Sequence, residues 1–389
     1  MIRARFGSRH RFRVRTTRFL NRAAPAPYHR GMSAFSSDLV LRRFFFRWER
    51  ALRAVLPESP WHVLGALSGG CDSVVLARLL LESAGHGPDR LTLAHVHHGL
   101  RPGADADEAF VRKLAGEWQV PLRVERVDAR GLAEERGWSI EQAARALRLL
   151  ALERMARASG AGAIALGHQM DDQAETVLLR LVRGAGPRGL GGMRASRPLR
   201  GISDSPRLRL VRPLLGFRRE EIRALATRAG LSWAEDPTNL DPTRLRNRIR
   251  HDLIPHLQQV YNPRLVESLA DAAGWQQRET ELVVRAANRV LRRVRRSATA
   301  RMVELDAAGL IGEPEAVVTR VLWRAYQSLA GRHAALGRRH ARALLSALRT
   351  AAGGESACVH LPGRVRACFT RERIRFEPHE PRPKRQQTP

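Results

Sequence analysis

Val63-Leu64-Gly65-Ala66-Leu67-Ser68-Gly69-Gly70-Cys71-Asp72-Ser73-Val74-Val75-Leu76 is the stretch that decides the fold. Its first five residues form a short apolar run and read as a buried strand. From Asp72 to Ser83, the residues Val75, Leu76, Leu79 and Leu80 recur at helical spacing and mark one face of a helix. Two glycines stand between strand and helix. They let the backbone approach a phosphate closely. Successive N–H groups there, together with the helix N-terminus, make an anion site. Ser68 and Ser73 add hydroxyl donors, and Asp72 can hold Mg2+ against the phosphates. The Gly-Lys-Ser/Thr ending of a Walker A loop is missing. A bare Gly-Gly would read as an ordinary strand–helix turn with Ser and Asp as caps. The full Ser-Gly-Gly-x-Asp-Ser after an apolar strand favours the phosphate loop.

Outward from this stretch the alternation continues. Strands are expected at 91–96, 122–127 and 163–166, with helices at 106–118, 140–159 and 171–182. Strands alternating with helices imply a parallel sheet covered on both faces, and ligands bind such sheets at the carboxyl ends of the strands. Residues 184–216 read as loops, 217–229 and 247–257 as helices. Beyond Asn262 the character changes. Leu282, Ala286, Val290 and Val294 mark one amphipathic helix, Val317, Val321, Ala325 and Leu329 a second, and Ala341, Leu344, Leu345 and Leu348 a third. Residues 365–371 and 373–376 then read as a β-hairpin. The expected organisation is a basic extension over 1–37, an α/β domain over 38–261, a mostly helical domain with a terminal hairpin over 262–377, and a tail over 378–389.

The formal net charge of +30 in 389 residues points to a polyanionic partner, nucleic acid before an anionic membrane surface. Lys113 and Lys384 are the only lysines. A GC-rich coding bias explains arginine in place of lysine, but not the shortage of Asp and Glu. Residues 1–37 carry no acid and many arginines. They read as a basic extension, as a stretch upstream of Met32 as the true start, or as an organellar transit peptide. No run of about 18 apolar residues suggests a membrane span. Cys71, Cys358 and Cys368 are widely spaced, with no CxxC pair and no even-numbered framework, which fits a reducing compartment and a cytoplasmic protein. A homodimer is compatible with all of this.

The hexapeptide 68–73 resembles the signature of the ATP-pyrophosphatase, or PP-loop, family, whose members cleave ATP to AMP and pyrophosphate while activating a carbonyl-like or amide-like oxygen. Cys71 falls on the variable position of that signature, so filler is expected there rather than a nucleophile. Further segments resemble the tRNA(Ile)-lysidine synthetases: His95-Val96-His97-His98-Gly99-Leu100-Arg101, Gly167-His168-Gln169-Met170-Asp171-Asp172-Gln173-Ala174-Glu175-Thr176, Arg183-Gly184-Ala185-Gly186, Arg212-Pro213-Leu214-Leu215, Asp236-Pro237-Thr238-Asn239 and Arg246-Asn247-Arg248-Ile249-Arg250. They stand in that family's order and span roughly residues 61–257. The resemblance implies a doubly wound α/β domain of the HUP-like, adenine nucleotide alpha hydrolase type. It implies ATP with Mg2+ as co-substrate, free lysine and an isoleucine tRNA with a CAU anticodon as partners, and lysidine as the product.

Site residues follow from motif and chemistry together. The nucleotide is expected on Ser68, Gly69, Gly70, Cys71, Asp72, Ser73, His95 and His168, with Mg2+ on Asp72. Asp172 and Glu175 lie three apart at a helix start and share a face; two carboxylates there suit the ammonium of lysine. Taken alone they would read as first-turn acids favouring the helix dipole. Arg148 is expected to balance the lysine carboxylate, although Leu149 stands where the family has Tyr. Asp72, Asp172 and Arg148 are the expected catalytic residues. Arg246, Asn247, Arg248 and Arg250 are expected to meet tRNA phosphates, as are Arg285, Arg289, Arg292, Arg293 and Arg296 in the helical region; a basic helix face is the plainer alternative. The three histidines 95, 97 and 98 lack the cysteine or distant ligand of a zinc site, so neither zinc nor an iron–sulfur cluster is expected. A tRNA thiolase would need paired cysteines or such a cluster, and a non-enzymatic RNA-binding module would have no use for both motifs.

Overall fold

The computed structural model describes residues 38–56, 62–83, 90–100, 103–199, 208–235, 241–331, 334 and 336–379. The basic extension, Arg101, the segment 236–239 and the tail from 380 lie outside the described residues. The described chain divides into two compact units, one holding residues up to 184 and 191–273, the other 185–190 and 274 onward.

The first unit opens with α1 (Leu39–Val55), whose N-cap Asp38 accepts from the backbone N–H of Val40 and Leu41. Leu41, Phe44, Trp48, Leu52 and Val55 form its buried face, and the Trp48 indole donates to Ser83 Oγ at 2.8 Å. The sequence reading passed over this helix, since Phe45, Phe46 and flanking arginines blur the stripe. Then follow β1 (Val63–Ala66), α2 (Cys71–Glu82), β2 (Leu91–His97), α3 (Ala104–Glu117), β3 (Leu122–Arg126), α4 (Ala129–Arg136), α5 (Ile140–Ala158), β4 (Ala163–Ala165) and α6 (Met170–Val182). Two short strands, β5 (Ser196–Pro198) and β6 (Arg209–Val211), fall where loops were expected. They pair antiparallel at the sheet edge, where Pro198 costs no ladder hydrogen bond.

The sheet order is β3-β2-β1-β4-β6-β5, parallel except for β5. From β1 the chain winds outward through β2 and β3, then returns to β4 on the other flank of β1. The order therefore reverses between β1 and β4, and a crevice opens there at the carboxyl ends of both strands. Val63, Leu64, Leu91, Leu93, Ala163 and Ile164 are fully buried, as befits strands covered on both faces. After α7 (Arg219–Arg228) come α8 (Leu245–Arg248), a π-helical turn (Ile249–Leu253) and α9 (Ile254–Val260). The long α10 (Leu265–Val294) follows.

In the second unit, α11 (Glu315–Ala330) and α12 (Arg338–Ala352) cover a five-stranded antiparallel sheet. Its strands are β7 (Arg295–Ala298), β8 (Val303–Asp306), β9 (Ala357–Leu361), β10 (Val365–Phe369) and β11 (Arg373–Pro378), ordered β7-β8-β11-β10-β9. The expected hairpin is β10–β11, at the centre of a larger sheet than the sequence suggested. Val321, Tyr326, Phe369, Ile374 and Phe376 are at most 1% exposed in this core. The cysteine reading needs correction. Cys358 and Cys368 face each other across β9 and β10 and form a disulfide. Strand register supplies a pairing that sequence spacing concealed, so cysteine usage no longer argues for a reducing compartment. Among the described residues no helix is long and apolar enough to cross a membrane.

Candidate active site

The loop after β1 is braced from within. Gly69 adopts φ +95°, a left-handed conformation that favours glycine. Ser73 Oγ donates to the Gly70 carbonyl at 2.8 Å and accepts from the Ser68 backbone N–H at 3.1 Å. The Ser73 hydroxyl, expected on phosphate, therefore spends its proton holding the loop. Ser68 is exposed at the mouth, while His95 is buried and donates from Nδ1 to the Leu67 carbonyl at 2.9 Å. His95, also expected on the nucleotide, supports the base of the loop. No side chain caps α2 at Gly70, so the helix N-terminus opens directly on the crevice. Burial, reinforced by the charge of Asp72, pushes the Cys71 thiol up to about 12. It stays protonated and inert, as filler should.

Gly167, at the end of β4, touches this loop. A Cβ there would sit 3.0 Å from the Asp72 carbonyl oxygen and 3.2 Å from the Ser73 nitrogen. Both neighbours are backbone and give way poorly. Gly167→Ala is expected to displace the first turn of α2 and raise the KM for ATP severalfold, at a cost of about 1–3 kcal/mol of stability. Unchanged ATP kinetics would show that the close approach is not required.

The next residue, His168, accepts at Nδ1 from Arg212 Nε at 3.2 Å, which places its proton on Nε2. Burial, then the charges of Arg212, Arg148, Arg246 and Arg145, hold it neutral well below the usual histidine range. Arg212 is itself buried and donates to the Arg194 carbonyl at 2.8 Å. Gln169 caps α6: its Oε1 accepts from the N–H of Asp171 and Asp172. Asp171 turns away, accepting from the Arg219 backbone N–H at 2.8 Å and from Arg218, which also binds Glu267 at 2.6 Å.

Asp172 and Glu175 share a face, as the spacing implied, but that face carries guanidinium groups. Glu175 accepts from Arg219 at 3.1 Å, Arg246 at 2.7 Å and Arg250 at 2.6 Å, and is 1% exposed. Asp172 accepts from Arg246 at 2.8 Å and Arg250 at 3.3 Å. Burial works to raise the Glu175 carboxyl, but the Arg250 hydrogen bond and the charges of Arg246, Arg250 and Arg219 outweigh it and hold it at about 2. Asp172 moves the other way: burial outweighs Arg246, and the charge of Glu175 adds to the rise. Asp72 is pushed up to about 6 by burial and then by the charge of Asp172. The charge of Asp172 thus reaches Asp72, and carboxylate oxygens are the donor type a divalent cation takes, although Asp172 already accepts from Arg246 and Arg250.

Two expectations change accordingly. Arg246 and Arg250, expected on tRNA phosphates, face Asp172 and Glu175, because the π-helical turn and α8 carry them into the crevice. Glu175, expected at a lysine ammonium, is enclosed by arginines. Asn247 is buried and donates to the Asp241 carbonyl, whereas Arg248 is exposed to solvent. Arg148 keeps solvent access in a crowded concavity, where desolvation and then Arg145 and Arg246 disfavour its charge. His97 faces Asp105 and Glu108, and both acids are paired with Arg126. Arg219 lies in no motif that marks it as a site residue, and Arg212, although part of the Arg-Pro-Leu-Leu segment, meets His168 only in the fold: the partners of both lie 44 positions away.

A PP-loop domain model matches residues 47–257. The chain is 40% identical over 320 residues to a tRNA(Ile)-lysidine synthase of Salinispora tropica, covering 82% of this chain and 91% of that one. It is 44% identical over 207 residues to the enzyme of that name from Chromobacterium violaceum, covering 53% of this chain and 45% of the relative. With the Thermus thermophilus protein of the same name it shares 41% identity over 239 residues, 60% of this chain and 43% of that one. The chain thus spans nine-tenths of the first relative and under half of the other two.

Proposed function

Because the chain belongs to the tRNA(Ile)-lysidine synthase family within the PP-loop proteins, we propose that it couples lysine to C2 of the wobble cytidine of an isoleucine tRNA with a CAU anticodon. ATP supplies the energy and leaves as AMP and pyrophosphate. The observation that carries this reading is the meeting, at the strand-order reversal, of the uncapped phosphate loop with Asp172 and its arginines.

The geometry supports a division of labour. Backbone N–H groups of 69–73 and the α2 N-terminus receive the polyphosphate. The C2 oxygen of the base attacks the α-phosphorus and pyrophosphate departs. Arg246 and Arg250, held by Glu175, are our candidates to stabilise the negative charge that grows on the leaving group. Neutral His168 offers its Nε2 proton as a hydrogen-bond donor to the nucleotide. Asp72 and Asp172 would hold Mg2+, which neutralises phosphate charge when bound. A lysine amine then displaces AMP at C2. Asp172 is our candidate to take the amine's proton, and Arg148 our candidate for the lysine carboxylate. Single-stranded loop bases are the natural targets of such a site.

The deciding experiment is AMP release from labelled ATP with and without lysine and tRNA. Release that needs lysine and the CAU-anticodon tRNA together, with a lysine-sized mass gain on the wobble cytidine, is expected. AMP release with sulfur donors instead, or none with this tRNA, would overturn the assignment.

A further inference from the structure

The long α10, whose residues from 274 onward belong to the second unit, carries a stripe that this unit leaves uncovered. Ala287, Val290 and Val294 turn into the second unit's core. On the opposite side, Trp275, Arg278, Leu282, Arg285, Arg289 and Arg292 recur at spacings of three and four, which aligns them along one line of the helix. Every one of these six is exposed. Trp275 is 64% and Leu282 67% exposed, large apolar groups on a face that solvation alone would fill with charge. The Arg278 guanidinium lies 4.1 Å from the Trp275 ring centroid, so one face of the indole is backed by a cation.

The arginines of this helix end fall into two groups. Arg293 binds Glu313 at 2.7 Å and Arg296 binds Asp306 at 3.1 Å, both within the second unit. Arg285 has only its neighbour Glu281, and Arg289 and Arg292 have no carboxylate partner among the described residues. The stripe thus joins a cation-backed aromatic platform to a row of available guanidinium groups. By helix rise it runs about 25 Å from Trp275 to Arg292. A second copy of this chain is a poor occupant, because pairing the stripe with itself sets arginine against arginine. A polyanion with flat apolar faces fits both halves: phosphates meet the arginines, and an unstacked base lies on the indole.

We infer that the outer face of α10, from Trp275 to Arg292, is an RNA-docking surface, with Arg289 and Arg292 on backbone phosphates and the Trp275–Arg278 pair under an unpaired base. This rests on the reading of the protein as a tRNA-modifying enzyme and adds a binding surface outside the crevice. Arg293 and Arg296, also expected on RNA from the sequence, are occupied in the fold and fall outside it.

The test uses the full-length protein and fluorescently labelled CAU-anticodon tRNA, titrated at several salt concentrations. Arg289→Glu/Arg292→Glu is expected to raise the Kd roughly tenfold or more and to flatten the log–log salt slope by about two. Trp275→Ala is expected to weaken binding about 5-fold to 100-fold, and Trp275→Phe to recover most of the loss. Arg293→Glu should change binding far less than the double variant. Trp275, Arg289 and Arg292 are exposed, so the melting temperatures of their variants should match wild type. If wild type binds and modifies the tRNA while Trp275→Ala and the double variant bind it equally well, the surface is refuted and the enzymatic reading stands. If wild type neither binds nor modifies it, the enzymatic reading itself fails. A dimer in sedimentation that these variants dissociate, with tRNA affinity unchanged, would assign the stripe to self-association and overturn the inference.

Discussion

Asp72→Asn is expected to abolish base adenylation and, at the same time, to make the protein more stable. Asp72 is the one carboxylate in the phosphate loop, and we propose it with Asp172 as the holder of a divalent cation. Losing such a charge clamp costs roughly a hundredfold to a thousandfold in rate, or more. The stability effect follows from linkage. The folded protein raises the Asp72 pKa from 3.8 to about 6, through burial and then the charge of Asp172. A carboxyl raised in this way destabilises the fold when ionised. That deficit is fully present above pH 6 and is relieved as pH falls from about 6 toward 4. A shift of about two units amounts to roughly 3 kcal/mol, so about 1–3 kcal/mol of gain is expected from Asn at pH 8. Urea unfolding at pH 8 and pH 5 reads this directly: the variant's advantage should shrink at the lower pH. A variant less stable than wild type at pH 8 would show that the carboxylate is satisfied in the fold rather than strained for function.

Glu175→Gln should have the opposite sign. Glu175 is nearly inaccessible and binds Arg219, Arg246 and Arg250. Without its charge, three guanidiniums share the single carboxylate of Asp172. Breaking a buried pair from one side typically costs about 3–5 kcal/mol. The depressed pKa gives a similar magnitude: a carboxyl held at about 2 against an ordinary 4.5 contributes about 3 kcal/mol. This contribution is present above pH 4.5 and lost as pH falls from there through about 2. A drop of roughly 6–12 °C in Tm at pH 7 is expected, together with lower kcat as Arg246 and Arg250 lose their anchor. Should the variant keep its wild-type Tm and raise only the KM for lysine, Glu175 would be an ammonium ligand, as its spacing from Asp172 first suggested.

These two residues show where sequence reading succeeds and stops. Asp72 was legible because everything that positions it is local: an apolar strand, two glycines and a helix start within a dozen residues. The pairing of Asp172 with Glu175 on one face was legible for the same reason, since helix geometry fixes three-residue neighbours. What faces them was not. Arg219, Arg246 and Arg250 reach Glu175 from 44, 71 and 75 positions away. Their aim depends on α7 docking through Asp171 and on a π-helical turn that no residue pattern announces. Nor was it legible that Ser73 Oγ and His95 Nδ1 donate to the Gly70 and Leu67 carbonyls, contacts that form only once the loop is folded.

By itself, then, the sequence determined the alternating α/β unit, the phosphate loop, the strand end that carries His168 and the strongly basic charge of the chain. All of these rest on periodicity, steric freedom at glycine and net charge, which are properties of neighbours along the chain. Only the tertiary structure decided the charge partners of Asp172 and Glu175, the five-stranded sheet around the terminal hairpin, the Cys358–Cys368 pair and which arginines of α10 remain available. Short strands carry too little alternation to announce themselves. A charge or a thiol finds its partner by distance in space, which separation along the chain does not encode.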